Sequence, residues 1–145
     1  MSLINKDQLL HITYYYKEKK LKGGFVKRIN LEDEKAEAML KDEATKGDVK
    51  VLNTYWKIIS WDEQQEMTKK STSMNPMDRQ PDFDVYKFRD LRLKASLKKW
   101  DLVDDDGKPV ECNEKTIGEL PPNVILNLIN KFDTMVNPTD DEEKN

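Results

Sequence analysis

The chain has 145 residues and a formal net charge of −3, and hydrophobic and charged residues each make up 37% of it. Soluble domains usually contain about 45–50% apolar and about 25% charged residues, so this composition predicts a small core under a heavily charged surface. The length suits one compact domain, and no apolar run approaches the roughly 20 residues of a membrane-spanning helix. We also expect no secretory signal and, with Cys112 as the single cysteine, no intramolecular disulfide.

The N-terminal region predicts a β-hairpin. The run from His11 to Tyr16 is rich in aromatic and β-branched residues, which favour strands. Lysine-rich sequence and the pair Gly23 and Gly24 separate it from a second strand-like run at residues 25–29. Two short strands joined by a basic loop are the simplest interpretation.

Two helices are predicted next. Asn30 is a candidate cap for a helix over residues 32–46, which has acidic residues in its first turn and is followed by Gly47. Asp48 is a candidate cap for a second helix over residues 48–59, because apolar residues recur there at helical offsets. These residues are Val51, Leu52, Tyr55, Trp56 and Ile59.

The middle of the chain predicts a capped helix and then a loop. Ser60 and Glu63 have the spacing of a capping box, which predicts a helix over residues 61–70. Residues 71–84 contain two prolines and several turn-forming residues, with few that are suited to burial. We therefore expect a mobile loop there.

The C-terminal half predicts two further helices. A central helix over residues 85–102 precedes an acidic turn that contains Gly107. The last helix begins near Pro121 and Pro122, and its apolar residues fall on one face. They are Val124, Ile125, Leu128, Ile129, Phe132, Met135 and Val136.

These elements predict a mainly α member of the α+β class, with an N-terminal hairpin and about five helices. Residues 1–136 form the expected domain, and residues 137–145 form an acidic disordered tail. The centres of the best-patterned helical faces give the expected core, which consists of Trp56, Leu97, Trp100, Leu128 and Phe132.

No group of residues in the sequence suggests catalysis, a cofactor or a metal. His11 is the only histidine, so a triad or a histidine metal site would depend on it alone. In a calcium loop with Gly107 at position six, Leu102 and Asn113 would stand at positions one and twelve, where carboxylates are required. We therefore expect a solvated turn at residues 104–109, and a protein that is not an enzyme.

Two basic clusters raise the alternative of nucleic-acid binding. The cluster around the hairpin consists of Lys17, Lys19, Lys20, Lys22, Lys27 and Arg28. The cluster on the central helix consists of Lys87, Arg89, Arg92, Lys94, Lys98 and Lys99. The net charge of −3 and the abundant carboxylates argue that salt bridges neutralise both clusters.

Several motifs carry a family resemblance over roughly the C-terminal two thirds of the chain. They are ISWDEQQE at 59–66, a Met-Asn-Pro loop at 74–76, YKFRDLRLK at 86–94, LKKWDL at 97–102, DGKP at 106–109 and LPPNV at 120–124. This pattern resembles small proteins from the tail-gene region of tailed bacteriophages and prophages of Gram-positive hosts, similar to tail assembly chaperones. The resemblance implies a non-enzymatic protein that binds the tape-measure protein or another tail component.

The resulting hypothesis is protein–protein interaction during tail or virion assembly, in the host cytoplasm and with presence in the virion left open. The partner is a tape-measure-like structural protein or a second copy of the chain. The expected binding residues are Tyr14, Tyr15, Tyr16, Phe25, Phe132 and Met135, which supply apolar or aromatic surface. A small phage nucleic-acid-associated or regulatory protein is the alternative, and an enzyme without a recognisable motif is a third interpretation.

Overall fold

The computed structural model describes residues 8–137, which form an α+β fold. The sheet strands are β1 (Leu10–Lys20), β2 (Val26–Asn30), β3 (Lys50–Trp56) and β6 (Leu97–Trp100), and a separate small hairpin is formed by β4 (Thr72–Met74) and β5 (Pro81–Phe83). The helices are α1 (Asp33–Lys41), α2 (Trp61–Lys70), α3 (Val85–Ser96), α4 (Glu114–Glu119) and α5 (Pro122–Val136). The expected acidic tail lies outside the described residues from residue 138 onward.

The prediction of a mainly α fold is wrong. The structure is 42% helical and 27% strand, and its centre is a four-stranded antiparallel sheet in the order β2-β1-β3-β6. The sequence indicated only the hairpin of this sheet. The other two strands stood in segments that carry a helical apolar pattern.

The long strand β1 connects two parts of the sheet. Its first half pairs with β3, from Leu10 opposite Trp56 to Tyr16 opposite Lys50. Its second half pairs with β2, from Tyr16 opposite Asn30 to Lys20 opposite Val26. Beyond Tyr16 the two strands therefore leave β3 and extend as a two-stranded arm, in which Gly23 and Gly24 turn the chain with positive φ.

The main core lies between one face of the sheet and α5. Residues at alternate positions of β1 and β3 point to the same face, so Ile12, Tyr14, Leu52 and Trp56 form one layer of this core. Leu128, Ile129 and Phe132 of α5 form the opposing layer, and Leu93, Leu97, Ile117 and Val124 complete it. On the other face, α1 covers a smaller cluster of Leu31, Ala36 and Val49.

The predicted helix over residues 48–59 is strand β3. Leu52, Thr54 and Trp56 are the buried alternating residues, but Thr54 counts as polar in a hydrophobicity pattern and so concealed the strand period. In the core the Thr54 hydroxyl donates to the Ile12 carbonyl at 2.6 Å and accepts from Trp56 Nε1 at 2.7 Å. These two hydrogen bonds make a buried threonine acceptable, because no polar atom of its side chain is left without a partner.

The predicted helix over residues 85–102 ends early, at Ser96, and the chain continues directly as strand β6. No glycine or proline marks this change. Leu97 and Trp100 suit a helical pattern, yet pairing of β6 with β3 determines their conformation. Tertiary hydrogen bonding thus overrides the local helical preference.

Three smaller predictions also need correction. The predicted helix over residues 32–46 is shorter, since α1 ends at Lys41, and Glu32 rather than Asn30 occupies its N-cap position. The predicted loop over residues 71–84 contains the exposed hairpin β4–β5. Helix α4 had no counterpart among the sequence predictions; Asn113 and Thr116 form its capping box, without the usual glutamate or glutamine.

Several local predictions are confirmed. The capping box of Ser60 and Glu63 begins α2, and the last helix starts at Pro122 and ends at Val136. In the acidic turn, Asp104 Oδ1 accepts hydrogen bonds from the Asp106 and Lys108 amides at 2.9 and 3.0 Å, and Gly107 has positive φ. Of the five expected core residues, Trp56, Leu97, Leu128 and Phe132 are buried, whereas Trp100 is partly exposed.

The two tryptophans Trp56 and Trp61 offer a matched test of this core. We expect Trp56→Ala to lower the free energy of unfolding by about 3–5 kcal/mol, because it removes a large side chain that packs against α5. Trp61→Ala should change it by no more than about 0.5 kcal/mol, since 71% of Trp61 is exposed. Urea denaturation measures both values, and equal effects would contradict the packing described above.

Candidate protein-binding site

The sequence-predicted binding residues do not form one surface. Tyr14 and Phe132 are buried, so their assignment to an exposed surface is wrong. The Tyr14 hydroxyl donates to Asn30 Oδ1, and burial raises the pKa of Tyr14. Phe132 stacks on Trp56 with ring centroids 4.8 Å apart. Both side chains primarily stabilise the interface between the sheet and α5.

The other four predicted residues lie in separate places. Tyr15 is half-buried beside α1, and Tyr16 is half-buried beneath Arg28, whose guanidinium carbon lies 5.6 Å from the ring centroid. Phe25 is 71% exposed near the turn of the β1–β2 arm, and Met135 is exposed on α5. Consecutive strand residues point to opposite faces of a sheet, which is why the three adjacent tyrosines cannot share one surface.

A cleft of about 410 Å³, with both polar and apolar side chains in its wall, lies where α2, α3 and α5 meet. We call it the aromatic cleft; it is lined by Ile58, Ile59, Gln64, Phe88, Arg92, Phe132, Val136 and Asn137. Phe132 therefore contributes to the wall of a cleft although it is almost fully buried. Ile58 is 49% exposed at this cleft, which is unusually open for an isoleucine side chain.

Phe83 extends the aromatic cleft toward the small hairpin. It ends β5, is 47% exposed, and lies with its ring centroid 5.5 Å from that of Phe88. Arg92 provides a polar group in the cleft: its guanidinium carbon lies 5.0 Å from the Phe132 ring centroid, and its Nη1 lies 2.6 Å from Asp133 Oδ1. Aromatic residues and arginine are enriched among the residues that dominate protein–protein binding energy.

Sequence reasoning missed Ile58, Phe83 and Phe88 as members of one site. Phe83 stood in a predicted loop, and Ile58 stood at the end of a predicted helix that is absent. The proximity of Phe83 to Phe88 depends on how the small hairpin folds against α3.

The β1–β2 arm places three lysines on one face. Lys19 lies directly opposite Lys27, and Lys17 lies two residues from Lys19 on the same strand. Like charges in directly opposite positions destabilise a hairpin. None of the three makes an ion pair with a carboxylate in residues 8–137, although Arg92 and Lys94 of the other basic cluster do. The expected neutralisation of the hairpin cluster is therefore not found in this part of the chain.

His11 and Cys112, the two residues considered above for catalysis or metal binding, make contacts that stabilise the fold. His11 Nε2 lies 2.8 Å from Asn53 Oδ1, and its ring stacks on Tyr55 with centroids 5.0 Å apart. Burial raises the pKa of the Cys112 thiol, so the nucleophilic thiolate is disfavoured at neutral pH. Within residues 8–137, no three histidine, cysteine or acidic side chains form a group able to hold a metal ion.

Comparisons with known proteins give no family assignment: no protein-family model, no curated protein and no solved structure matches the chain. No helix in the described range 8–137 has the length and apolar character needed to cross a membrane.

We predict that Ca²⁺ and Zn²⁺ leave the protein unchanged. The carboxylate of Asp104 accepts hydrogen bonds from the backbone of its own turn, and the 145-residue sequence contains one histidine and one cysteine. Calorimetric titration with each metal should show no stoichiometric site. Binding of one ion with micromolar affinity would contradict the prediction.

Proposed function

We propose that this protein acts without catalysis, by binding a structural protein during assembly of a bacteriophage tail or virion, and that the aromatic cleft is its binding site. The partially exposed apolar surface of Ile58, Phe83 and Phe88 is the observation that carries the proposal. Transfer of such surface from water into an interface stabilises a complex by roughly 25 cal/mol per Å² before the entropic costs of association.

The apolar side chains in the wall of the aromatic cleft favour a protruding apolar side chain or a short apolar segment as its occupant. Five apolar side chains line the cleft together with Gln64 and Asn137, and Arg92 lies in it beside the ring of Phe132. Because Arg92 is also paired with Asp133, its charge is largely balanced before a partner arrives. The affinity should therefore depend on apolar burial much more than on charge.

The resemblance to tail assembly proteins supplies the proposed partner class, a tape-measure-like tail protein. Two of the six motifs that carry this resemblance lie beside the aromatic cleft in the fold. The segment 59–66 contributes Ile59 and Gln64 to the cleft, and the segment 86–94 contributes Phe88 and Arg92. The proposed setting is the host cytoplasm during assembly, and a place in the finished virion is compatible with the same interaction.

Binding to the tape-measure protein encoded in the same genome tests the proposal. We expect a complex whose dissociation constant changes little between low and high salt, because apolar contacts dominate it. Phe83→Ser and Ile58→Ser should each weaken this complex about tenfold or more, corresponding to about 1.4 kcal/mol. Val103→Ser is the control, since Val103 is exposed outside the aromatic cleft.

Two results would contradict this proposal. The first is no complex with the tape-measure protein or with any other tail protein of the same phage. The second is a complex that Phe83→Ser and Val103→Ser weaken equally. Circular dichroism and thermal denaturation of each variant separate loss of binding from loss of folding.

Nucleic-acid binding is the second candidate function, and the lysine face of the β1–β2 arm favours it. Lys17, Lys19 and Lys27 project from the same face of a two-stranded ribbon. A ribbon of this kind fits the major groove of B-DNA, and each lysine that contacts a phosphate releases counterions. The overall charge of −3 opposes this function through repulsion of the rest of the surface.

Titration with single- and double-stranded DNA and RNA at about 50 mM salt distinguishes the two functions. We expect no complex tighter than the roughly 10⁻⁴–10⁻⁶ M of non-specific binding. A tighter complex that is lost on combined substitution of Lys17, Lys19 and Lys27 by Gln would replace the first proposal. Gln substitutions at Lys35, Lys41 and Lys108 make the matched control, because these lysines are exposed elsewhere and the change in net charge is identical.

A further inference from the structure

Within residues 8–137, part of β1 has an edge without a pairing strand. β3 pairs with β1 from Leu10 to Tyr16, whereas β2 reaches only Tyr16 on the other side. On that side the Tyr15 carbonyl accepts from the Leu31 amide at 2.9 Å, and the Thr13 carbonyl accepts from Lys131 Nζ at 2.6 Å. Alternate residues of an antiparallel strand direct their backbone groups to the same side, so the amides of His11 and Thr13 and the His11 carbonyl also point there.

These three backbone groups have no hydrogen-bond partner among residues 8–137. An exposed row of strand amides and carbonyls is a template for pairing with another extended chain. The spacing of two residues between the His11 and Thr13 groups matches the repeat of a β-strand. A helix or a compact ligand does not offer donors and acceptors with this repeat.

The open edge lies in a groove of about 470 Å³ between α1 and α5. Asp33 and Glu37 line its α1 side, while Asn127, Lys131 and Thr134 line its α5 side. Asn127 Oδ1 is buried and accepts no hydrogen bond from a described residue. Buried polar atoms in proteins are nearly always paired, so this oxygen is a further acceptor for a donor that enters the groove.

We propose that this edge groove binds an extended peptide segment of a partner protein, which adds to β1 as a strand at residues 11–13 and places a lysine or arginine side chain between Asp33 and Glu37. Strand addition takes its affinity from main-chain hydrogen bonds and its specificity from the side-chain environment. The environment here is acidic, because the groove has two carboxylates and the single ammonium group of Lys131.

Lys131 covers the unpaired edge of β1 when the groove is empty. Its Nζ lies 2.6 Å from both the Thr13 carbonyl and Asp33 Oδ1, so it spans the groove from α5 to α1. Lysine is a common device for protecting a strand edge from unwanted pairing. On binding, an amide of the incoming strand donates to the Thr13 carbonyl in place of Lys131. The basic side chain of the partner then pairs with Asp33 in place of Lys131.

The surroundings of the edge disfavour two other occupants. A second copy of the chain brings its own Asp33 and Glu37, so pairing of two such edges would place like charges near each other. The C-terminal residues Asp140, Asp141, Glu142 and Glu143 carry the same charge as Asp33 and Glu37. A neutral or basic segment of another protein meets neither obstacle.

This inference does not depend on the aromatic cleft or on phage assembly. Phe83→Ser should leave binding in the edge groove unchanged, and substitutions in the groove should leave the aromatic cleft unchanged. The failure of one proposal is therefore distinguishable from the failure of the other.

The test uses peptides selected against the full chain from a random library of twelve-residue sequences. We expect the selected peptides to contain β-branched residues and a lysine or arginine, and to protect the His11 and Thr13 amides from hydrogen exchange. His11→Pro should abolish binding because proline has no N–H group to donate. His11→Ala is the matched control, since it removes the same ring and keeps the amide.

Two further substitutions test the chemistry of the groove. Glu37→Lys should weaken binding of a lysine-containing peptide about tenfold, whereas Glu34→Lys, on the same helix but outside the groove, should have little effect. Lys131→Met should increase peptide affinity, because it frees the Thr13 carbonyl and leaves Asp33 for the cation of the peptide. If Lys131 only stabilises the fold, Lys131→Met should not increase the affinity for the peptide.

Four results would overturn the proposal. The first is that no selected peptide protects these amides, and the second is that His11→Pro and His11→Ala bind the peptide equally well. The third is a dimer that His11→Pro dissociates, and the fourth is a tenfold gain in peptide affinity on deletion of residues 138–145. The third would identify a second copy as the occupant, and the fourth the acidic C-terminal segment. Thermal denaturation of His11→Pro confirms that the variant is folded before its binding is compared.

Discussion

The antiparallel pairing of β1 with β3 is the constraint on which the rest of the fold depends. It brings Ile12, Tyr14, Leu52 and Trp56 onto one face, where α5 covers them. At its centre, Thr54 donates to the Ile12 carbonyl and accepts from the Trp56 indole, so the buried Thr54 hydroxyl is satisfied. The alternating apolar pattern of the two strands fixes their register, because a slip by one residue would turn the apolar face toward solvent.

The length of β1 creates the two other notable surfaces. The strand continues past the end of β3, and with β2 it forms the arm that carries Lys17, Lys19 and Lys27. The N-terminal part of β1 has no pairing with β2, and this leaves residues 11–13 at an unpaired edge between α1 and α5. One strand that is longer than either neighbour thus produces both a charged ribbon and a groove with open backbone groups.

The aromatic cleft and the edge groove differ in the groups that they expose. The aromatic cleft offers apolar burial beside an already paired arginine, whereas the edge groove offers main-chain hydrogen bonds and an acidic wall. Apolar contacts mainly set affinity, and strand pairing with charge complementarity sets direction and register.

The sequence by itself determined the features that depend on neighbouring residues. The hairpin turn at Gly23 and Gly24, the capping box of α2, the turn around Gly107 and the amphipathic face of α5 all follow from short-range sequence patterns. The tertiary structure alone decided that residues 50–56 and 97–100 are strands, since their apolar residues fit helical spacing and only pairing with β1 and with each other favours extension. It also decided which aromatic residues are accessible, because Tyr14 and Phe132 are covered by distant elements while Phe83 is left at the surface. Burial of this kind depends on contacts between residues far apart in the chain, and a single sequence carries no direct record of them.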